Sequence, residues 1–369
     1  MERNMLIPIV LIAVILSASG LAVGTYSIIS APTKGNDGDD GDDGAPGTTT
    51  IVYQTEDQYP CASEQDINDS LDAIGDGYGK IMITDNINLN SPIIINGGGS
   101  YIIEGIGFHT IDCGDGQAFR ILNAKSCKIK DLLINASSLT FDYKIIEIFE
   151  INDNPVFIDG VQILGGLSLE GNGIYVSSDN VWISNCIFNS LKRGITIDEY
   201  INHGHINDNE ISKCETYGIG LLSNSQNFTI GENRLFDFVG SARGIAMYSS
   251  NYATISNNII HSILRGILLS GSNRTTIIGN TIDGKNRDLS PFSSGIHLLD
   301  SSYNVISGNS ITNYLNGAGG STGYGIRIRE ITDVSYENTV VGNTALSCDT
   351  NFDDSGTNTF GDNTLNNFD

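Results

Sequence analysis

Apolar and polar residues alternate along most of this chain, and the alternation returns in register. A Gly-Ile pair followed two residues later by an apolar residue occurs at Gly173, Gly194, Gly218, Gly244, Gly266, Gly295 and Gly325. The second apolar series is Val176, Ile197, Leu221, Met247, Leu269, Leu298 and Ile328. A period of two marks a strand with one buried face. Between these strands lies a second signature. Asn209, Asn233, Asn258, Asn280 and Asn309 each follow an isoleucine by three residues and precede Ile211, Leu235, Ile260, Ile282 and Ile311 by two. Asn185 and Asn343 fit more loosely, with Trp182 and Val340 before them.

Asparagine at one turn of every coil can stack amide on amide along an axis. Strand, Asn turn and strand again, every 21 to 30 residues, predicts a parallel β-helix. Helical solenoids need a 3.6-residue period, which is almost absent. Propeller blades carry Trp-rich signatures, and this chain has one Trp. The expected class is therefore all-β, a single solenoid spanning residues 55–369. A solenoid's open ends need covering. Ser63 and Asp66 form a helix-start pattern ahead of Ile67, Leu71 and Ile74, which predicts a capping helix over Glu64 to Ala73. The Asn/Asp-rich residues Thr350 to Asp369 are expected to close the other end.

Composition divides the remainder. Residues 1–31 hold an uncharged apolar run from Met5, about as long as the roughly 20 residues of a membrane span. This favours an uncleaved signal anchor, with cleavage near Ser17-Ala18-Ser19 as the alternative. Both place the rest of the chain outside the cytoplasm. Residues 32–54 form an acidic linker in which Gly35, Gly38, Gly41, Gly44 and Gly47 recur every third residue, as in a collagen-like segment. A flexible spacer is favoured and leaves a monomer, while a triple helix would make a trimer. The net charge of −24 argues against nucleic acid as a partner. The six cysteines contain no C-x-x-C pair, so zinc is disfavoured, and buried thiols compete with disulfides. Asn68, Asn135, Asn227 and Asn273 open N-x-S/T sequons, which fits export.

Ser70-Leu71-Asp72-Ala73-Ile74-Gly75, Gly79-Lys80-Ile81-Met82-Ile83 and Tyr101-Ile102-Ile103-Glu104-Gly105 resemble the opening of pectate-lyase-superfamily β-helices. The coils from Phe119 onward resemble the Asn-ladder repeats of the NosD-type, carbohydrate-binding and sugar-hydrolase families. This resemblance covers about four-fifths of the chain. It implies a right-handed, single-stranded parallel β-helix, and it is specific for fold rather than activity, since the shared motifs are structural. No Met/His/Cys cluster supports copper handling of the NosD kind, and His203-Gly204-His205 offers two histidines without a third ligand.

The outward positions of the Gly-Ile strands are the place to look for chemistry. Between the buried residues they read Tyr175, Thr196, Gly220, Ala246, Leu268, His297 and Arg327. One step on they read Ser177, Asp198, Leu222, Tyr248, Ser270, Leu299 and Arg329. His297 and Arg327 should be neighbours, ~4.8 Å apart in coil spacing. Extra residues emerge at one corner, Asp283 to Ser294 and Asn313 to Tyr324. That rim would bring Asp283, Lys285, Arg287, Asp288, Phe292, Tyr314 and Tyr324 beside a floor of His297, Arg327 and Arg329, read as a solvated strand face. Aromatics for stacking and bases for carboxylates suit a saccharide groove.

Gly325-Ile326-Arg327-Ile328-Arg329 resembles the Arg-Ile-Lys strand of polygalacturonases, with His297 where that family has a histidine. The acids that family carries on the preceding strands are replaced here by Leu268, Ser270, Ala246 and Tyr248. Inverting hydrolysis needs two carboxyl groups about 6.5–9.5 Å apart, so that activity is disfavoured. Two readings remain. The favoured one is a tethered module that binds surface polysaccharide, with Lys285, Arg287, Tyr314, Tyr324, Tyr248 and Asp198 in contact. The other is a lyase acting on uronate glycans through His297, Arg327 and Arg329, with Asp283 and Asp288 holding Ca2+. Arg193, Arg243 and Arg265, each just before a Gly-Ile pair, are expected to pair with acids at a turn rather than form a basic stripe.

Overall fold

The structure is a computed structural model that describes residues 57–369 apart from 108, 150–154, 167, 262–263, 285–292, 316–321, 332–334, 356, 362 and 367–369. The apolar segment at 1–31 and the linker at 32–54 lie outside the described residues. Among the described residues no helix is long and apolar enough to cross a membrane.

After the first strand, short strands follow one another in threes, and each sheet takes every third strand. The first sheet runs from Asp57–Cys61 to Thr357–Phe360 with 13 strands, the second from Ile87–Asn88 to Thr364–Asn366 with 12, the third from Ile93–Asn96 to Thr350–Asp354 with 11. Neighbours pair in parallel, for example Ile174 with Ile195, Ile245 with Ile267 and Ile296 with Ile326. This is a parallel β-solenoid of about 11 turns.

The repeat explains the stacking. The isoleucines before the Asn turns form one inward column of the first sheet, Ile183, Ile206, Ile230, Ile255, Ile277 and Ile306, each at most 1% exposed. The Gly-Ile strands are all in the third sheet and send two further columns inward. Each fully buried isoleucine contributes roughly 1.5–3 kcal/mol of transfer free energy. The glycine is required by close approach. A Cβ at Gly194 would lie 2.6 Å from the Gly218 carbonyl oxygen and 2.9 Å from Ile211 Cγ2.

The Asn ladder forms as the spacing predicts, with one shift. Asn209, Asn233, Asn258, Asn280, Asn309 and Asn343 each donate an Nδ2 hydrogen bond to the Oδ1 of the next, ending on Asn363, at 2.9 to 3.1 Å. Each Oδ1 also accepts the preceding asparagine's backbone N–H, as Asn280 does from Asn258 at 2.9 Å. Asn185 is not a member. The ladder position in its coil is Cys186, whose backbone N–H donates to Asn209 Oδ1 at 3.0 Å. Asn185 sits in left-handed backbone at φ 54° and donates to Asp159 instead. A second ladder, Asn304 to Asn338 to Asn358, and a serine column through Ser250, Ser272, Ser301 and Ser335 tie the opposite corner.

The helix spans Glu64–Ile74 and covers the first coil with Ile67, Ser70 and Ile74. Ser63 Oγ accepts the Asp66 N–H at 3.2 Å, and Asp66 returns a carboxylate to the Ala62 N–H at 3.0 Å. At the other end no separate cap follows among the described residues. Thr350–Asp354, Thr357–Phe360 and Thr364–Asn366 add one more strand to each sheet, because they continue the ladder spacing through Asn358 and Asn363. All six cysteines are free and buried.

Candidate functional site

The outward face of the third sheet carries the predicted residues in the expected register. Leu268 pairs with His297, His297 with Arg327, Arg327 with Asp353, and Leu299 with Arg329. The middle column, however, is not solvated. Thr196, Ala246, Leu268 and His297 are at most 3% exposed, although they point away from the core. Their neighbours lie over them. The Tyr217 ring covers Gly220, where a Cβ would meet its Cε2 at 2.4 Å, and Tyr217, Ala246 and Leu268 form a small apolar cluster against which Tyr248 packs.

His297 is the most unusual group on this face. Both ring nitrogens are buried without a hydrogen-bond partner. Burial pushes its pKa down to about 3, helped by the nearby Arg265, Arg327 and Arg329 guanidinium groups. The imidazole is therefore neutral at ordinary pH, with one N–H to donate and one lone pair to accept. The Arg327 guanidinium lies 4.0 Å from the Tyr324 ring centroid, and its Nε donates to Asp353 at 3.0 Å. Its Nη1 has no partner, and neither has the Nε of Arg243. Burial and the neighbouring Arg243 lower the pKa of Arg265. Arg243 and Arg329 have no carboxylate partner among the described residues. The expected pairing of the turn arginines with acids thus holds for Arg193, which reaches Asp142 at 3.4 Å, and fails for Arg243.

Other predicted residues fall elsewhere. Tyr314 is not on a rim but fully buried in the core. It follows Ile311 by three residues, as Cys214 follows Ile211 and Phe238 follows Leu235, and these residues share one inward corner. That offset of three from the inward residue marks Tyr314 as a corner position. Asp283 ends the second-sheet strand Thr281–Asp283 rather than opening the loop, and its carboxylate faces Asn313 Nδ2 at 2.8 Å and His261 Nδ1 at 3.7 Å. Asp198 accepts a hydrogen bond from Ser177 Oγ at 2.8 Å, at the early end of the face. Lys285, Arg287, Asp288 and Phe292 lie outside the described residues.

Among the described residues of this face, paired acids for hydrolysis are not assembled. Asp198 and Asp353 stand on this face six strands apart, ~29 Å at the spacing of paired strands. Glu147 lies nearer Asp198, but burial, which would raise its pKa, is outweighed by Lys144, Gln117 and Arg120, and the carboxyl stays ionised below its usual range. Ionised, Glu147 cannot donate the proton a leaving oxygen needs.

Three parallel sheets wound coil upon coil, with a lateral strand face carrying arginines and tyrosines, define the chain as a parallel β-helix whose structural neighbours are right-handed β-helices. The family model described as periplasmic copper-binding protein (NosD) matches residues 102–287 and 237–369, and the chain belongs to that family. No curated protein matches the chain in sequence. Among solved structures it is similar to the A-module of mannuronan C-5 epimerase AlgE6 from Azotobacter vinelandii, at 16% identity and TM-score 0.58 over 81% of this chain and 94% of that one. DFA-IIIase from Arthrobacter chlorophenolicus A6, in complex with GF2, aligns at 14% identity and TM-score 0.55 over 85% and 98%. PfbA, a surface adhesin of Streptococcus pneumoniae, aligns at 16% and 0.53 over 78% and 87%. These likenesses concern the fold.

Copper does not fit the residues described. No group of three or more His, Cys, Asp or Glu side chains converges among them. Burial raises the Cys113, Cys127 and Cys186 thiols to about 12, so each stays protonated and closed to a metal.

Proposed function

We propose that this chain is an extracytoplasmic, membrane-tethered β-helix that binds an anionic polysaccharide along the later strands of its third sheet. The observation that carries the reading is a run of buried donors without protein partners on a chain of net charge −24. Arg243 Nε, His297 and Arg327 Nη1 span three strand spacings, ~14 Å. A buried polar group left unpaired costs roughly 1–3 kcal/mol, and a ligand supplying acceptors would offset that cost where the half-buried Arg243 and Arg327 side chains meet the surface. Guanidinium groups match carboxylates, and the tyrosines beside them supply flat surfaces for sugar rings. The family's periplasmic description and the apolar N-terminal run support placement outside the cytoplasm, and the structural neighbours that act on or adhere at surfaces support a glycan partner.

The catalytic alternative is removal of the proton alpha to a uronate carboxylate by His297, with Arg327 and Arg329 stabilising the enolate. It is disfavoured because an imidazole whose pKa is held at about 3 is a weak base near neutral pH. Titration calorimetry of the full chain with polygalacturonate and with alginate, with and without Ca2+, separates the two. Saturable binding without unsaturated product, lost in Arg327→Ala, is the expected result. Product absorbance that disappears in Arg327→Ala would replace the binding reading with the lyase, and no binding to either polymer would overturn both.

A further inference from the structure

A second, different surface lies at the corner between the third and first sheets. From Tyr200 to Tyr303 the coils turn there through two left-handed residues separated by two residues. In the later coils the first is Ser249, Gly271 and Asp300, at φ 49°, 62° and 48°. The second is Tyr252, Arg274 and Tyr303, at φ 57°, 55° and 61°, linked coil to coil through Tyr252 N–H to the Asn273 carbonyl and Arg274 N–H to the Ser302 carbonyl. Earlier coils put Asn180, His203 and Asn227 at this second position, at φ 57°, 59° and 61°, and the coil after Tyr303 puts Glu337 there at 55°. Asparagine tolerates left-handed backbone because its short side chain bonds locally, whereas a bulky residue there is strained. Replacing asparagine by tyrosine at this corner therefore works against the fold, and such strain gathers where a side chain has another task.

The side chains supply that task. The Arg274 guanidinium lies 5.5 Å from the Tyr252 ring centroid and 5.3 Å from that of Tyr303. Tyr303 meets Tyr336 edge-on at 5.0 Å, with their hydroxyls 3.3 Å apart. All three tyrosines remain 38–48% exposed. Arg274, Tyr303 and Tyr336 line an open groove of about 500 Å3 whose other walls include Asn273 and Asp300. Gly271 leaves its floor clear, since a Cβ there would lie 3.2 Å from Ser249 Oγ. One arginine and one aspartate make the groove close to neutral, unlike the cationic third-sheet face. Rings for stacking, an amide, a guanidinium and a carboxylate are the donor set that recognises a hydroxyl-rich, uncharged sugar. Tyr252 and Tyr303 are two coils apart, ~9.6 Å, a span suited to two linked pyranoses.

We infer that the Tyr252–Arg274–Tyr303–Tyr336 corner is a second glycan-binding site, selective for neutral sugar units and independent of the third-sheet face.

The earlier coils suggest the test. Tyr303→Asn and Tyr252→Asn remove the rings while installing the residue that the same corner uses upstream, so folding should be preserved, as unfolding midpoints would verify. The full chain is titrated with neutral hexaoses of glucose and mannose, β-1,4- and α-1,4-linked, and with oligogalacturonate. At least one neutral hexaose should bind, and Tyr303→Asn should weaken it tenfold or more while leaving oligogalacturonate binding within twofold. Arg327→Ala should do the reverse. Should no neutral hexaose bind, or should both Asn variants bind it as the unaltered chain does, the inference is overturned. Loss of oligogalacturonate binding alone would overturn only the proposed third-sheet function.

Discussion

The early and late coils of this solenoid share one backbone and differ in how they settle their polar groups. Up to about Ile197 the corner between the first and second sheets is filled by apolar residues such as Val161 and Cys186, and the third-sheet face is charge-balanced. There Lys144 and Arg120 meet Glu147 at 2.7 and 3.0 Å, and Lys192 meets Asp142 at 2.9 Å. Beyond it the same corner becomes the asparagine ladder, and the outer face keeps arginines and a histidine with unsatisfied donors. The late coils thus tie one interior corner with amide hydrogen bonds while their outer face keeps Arg243, His297 and Arg327 atoms that are buried without a protein partner. Their interior is locked by amide bonds, which lets the outside carry groups that would otherwise destabilise it.

The largest test of this contrast is inside the ladder. Asn258→Leu removes bonds to Asn280, Ile230 and Asn233 and leaves buried partners orphaned, so it should cost about 3–5 kcal/mol by urea denaturation. Val161→Ala at the corresponding apolar corner should cost about 2 kcal/mol or less. Equal costs would show that the two halves are not held differently. On the outer face, Arg327→Ala should reduce polyuronate affinity by about 30- to 100-fold, as expected for roughly 2–3 kcal/mol from a charge-assisted pair. Lys144→Ala, already engaged by Glu147, should change it less than twofold.

Acid sharpens the comparison further. His297 is held neutral down to about 3 among Arg265, Arg327 and Arg329, whereas in the unfolded chain it takes up a proton near its ordinary pKa of 6.5. Between those values the unfolded state binds the extra proton, so stability falls as pH falls from 6.5, by up to about 1.4 kcal/mol per pH unit. Above 6.5 the group contributes no slope. Thermal unfolding from pH 7.5 to 4.5 should show this loss, and His297→Leu should flatten it. An unchanged slope would mean that His297 is not a buried neutral group. The smallest effect is expected from Asp142→Asn, which frees Lys192 and Arg193 and extends the unpaired cationic run into the early coils. A rise of a few-fold in polyuronate affinity, with stability changed by no more than ~1 kcal/mol, would follow.

Several features could be read directly from residue order. The inward isoleucines and the ladder asparagines recur at fixed offsets because each coil must bury the same faces against its neighbours. The capping helix was legible to within one residue, since its start signal is local. Asn185 was misplaced by one position because, in that coil, a cysteine takes the asparagine's place and the neighbouring Asn moves to the left-handed turn. Tyr314 was misread because an aromatic beside an insertion resembles a rim residue, although its offset from Ile311 matches Cys214 and Phe238.

What the order of residues determined by itself was therefore the period, the class of fold and the line on which His297 and Arg327 would meet. Periodicity carries that information because a solenoid contacts only its nearest neighbours, so a local repeat is also the tertiary plan. What only the folded coordinates decided was burial on the outward side. The Tyr217 ring lying across Gly220, the dry surroundings of His297 and the tyrosine corner around Arg274 all arise between coils, where side chains some two dozen residues apart cover one another from water. No offset along a single strand encodes which outward groups will be sheltered and which will be left waiting for a partner.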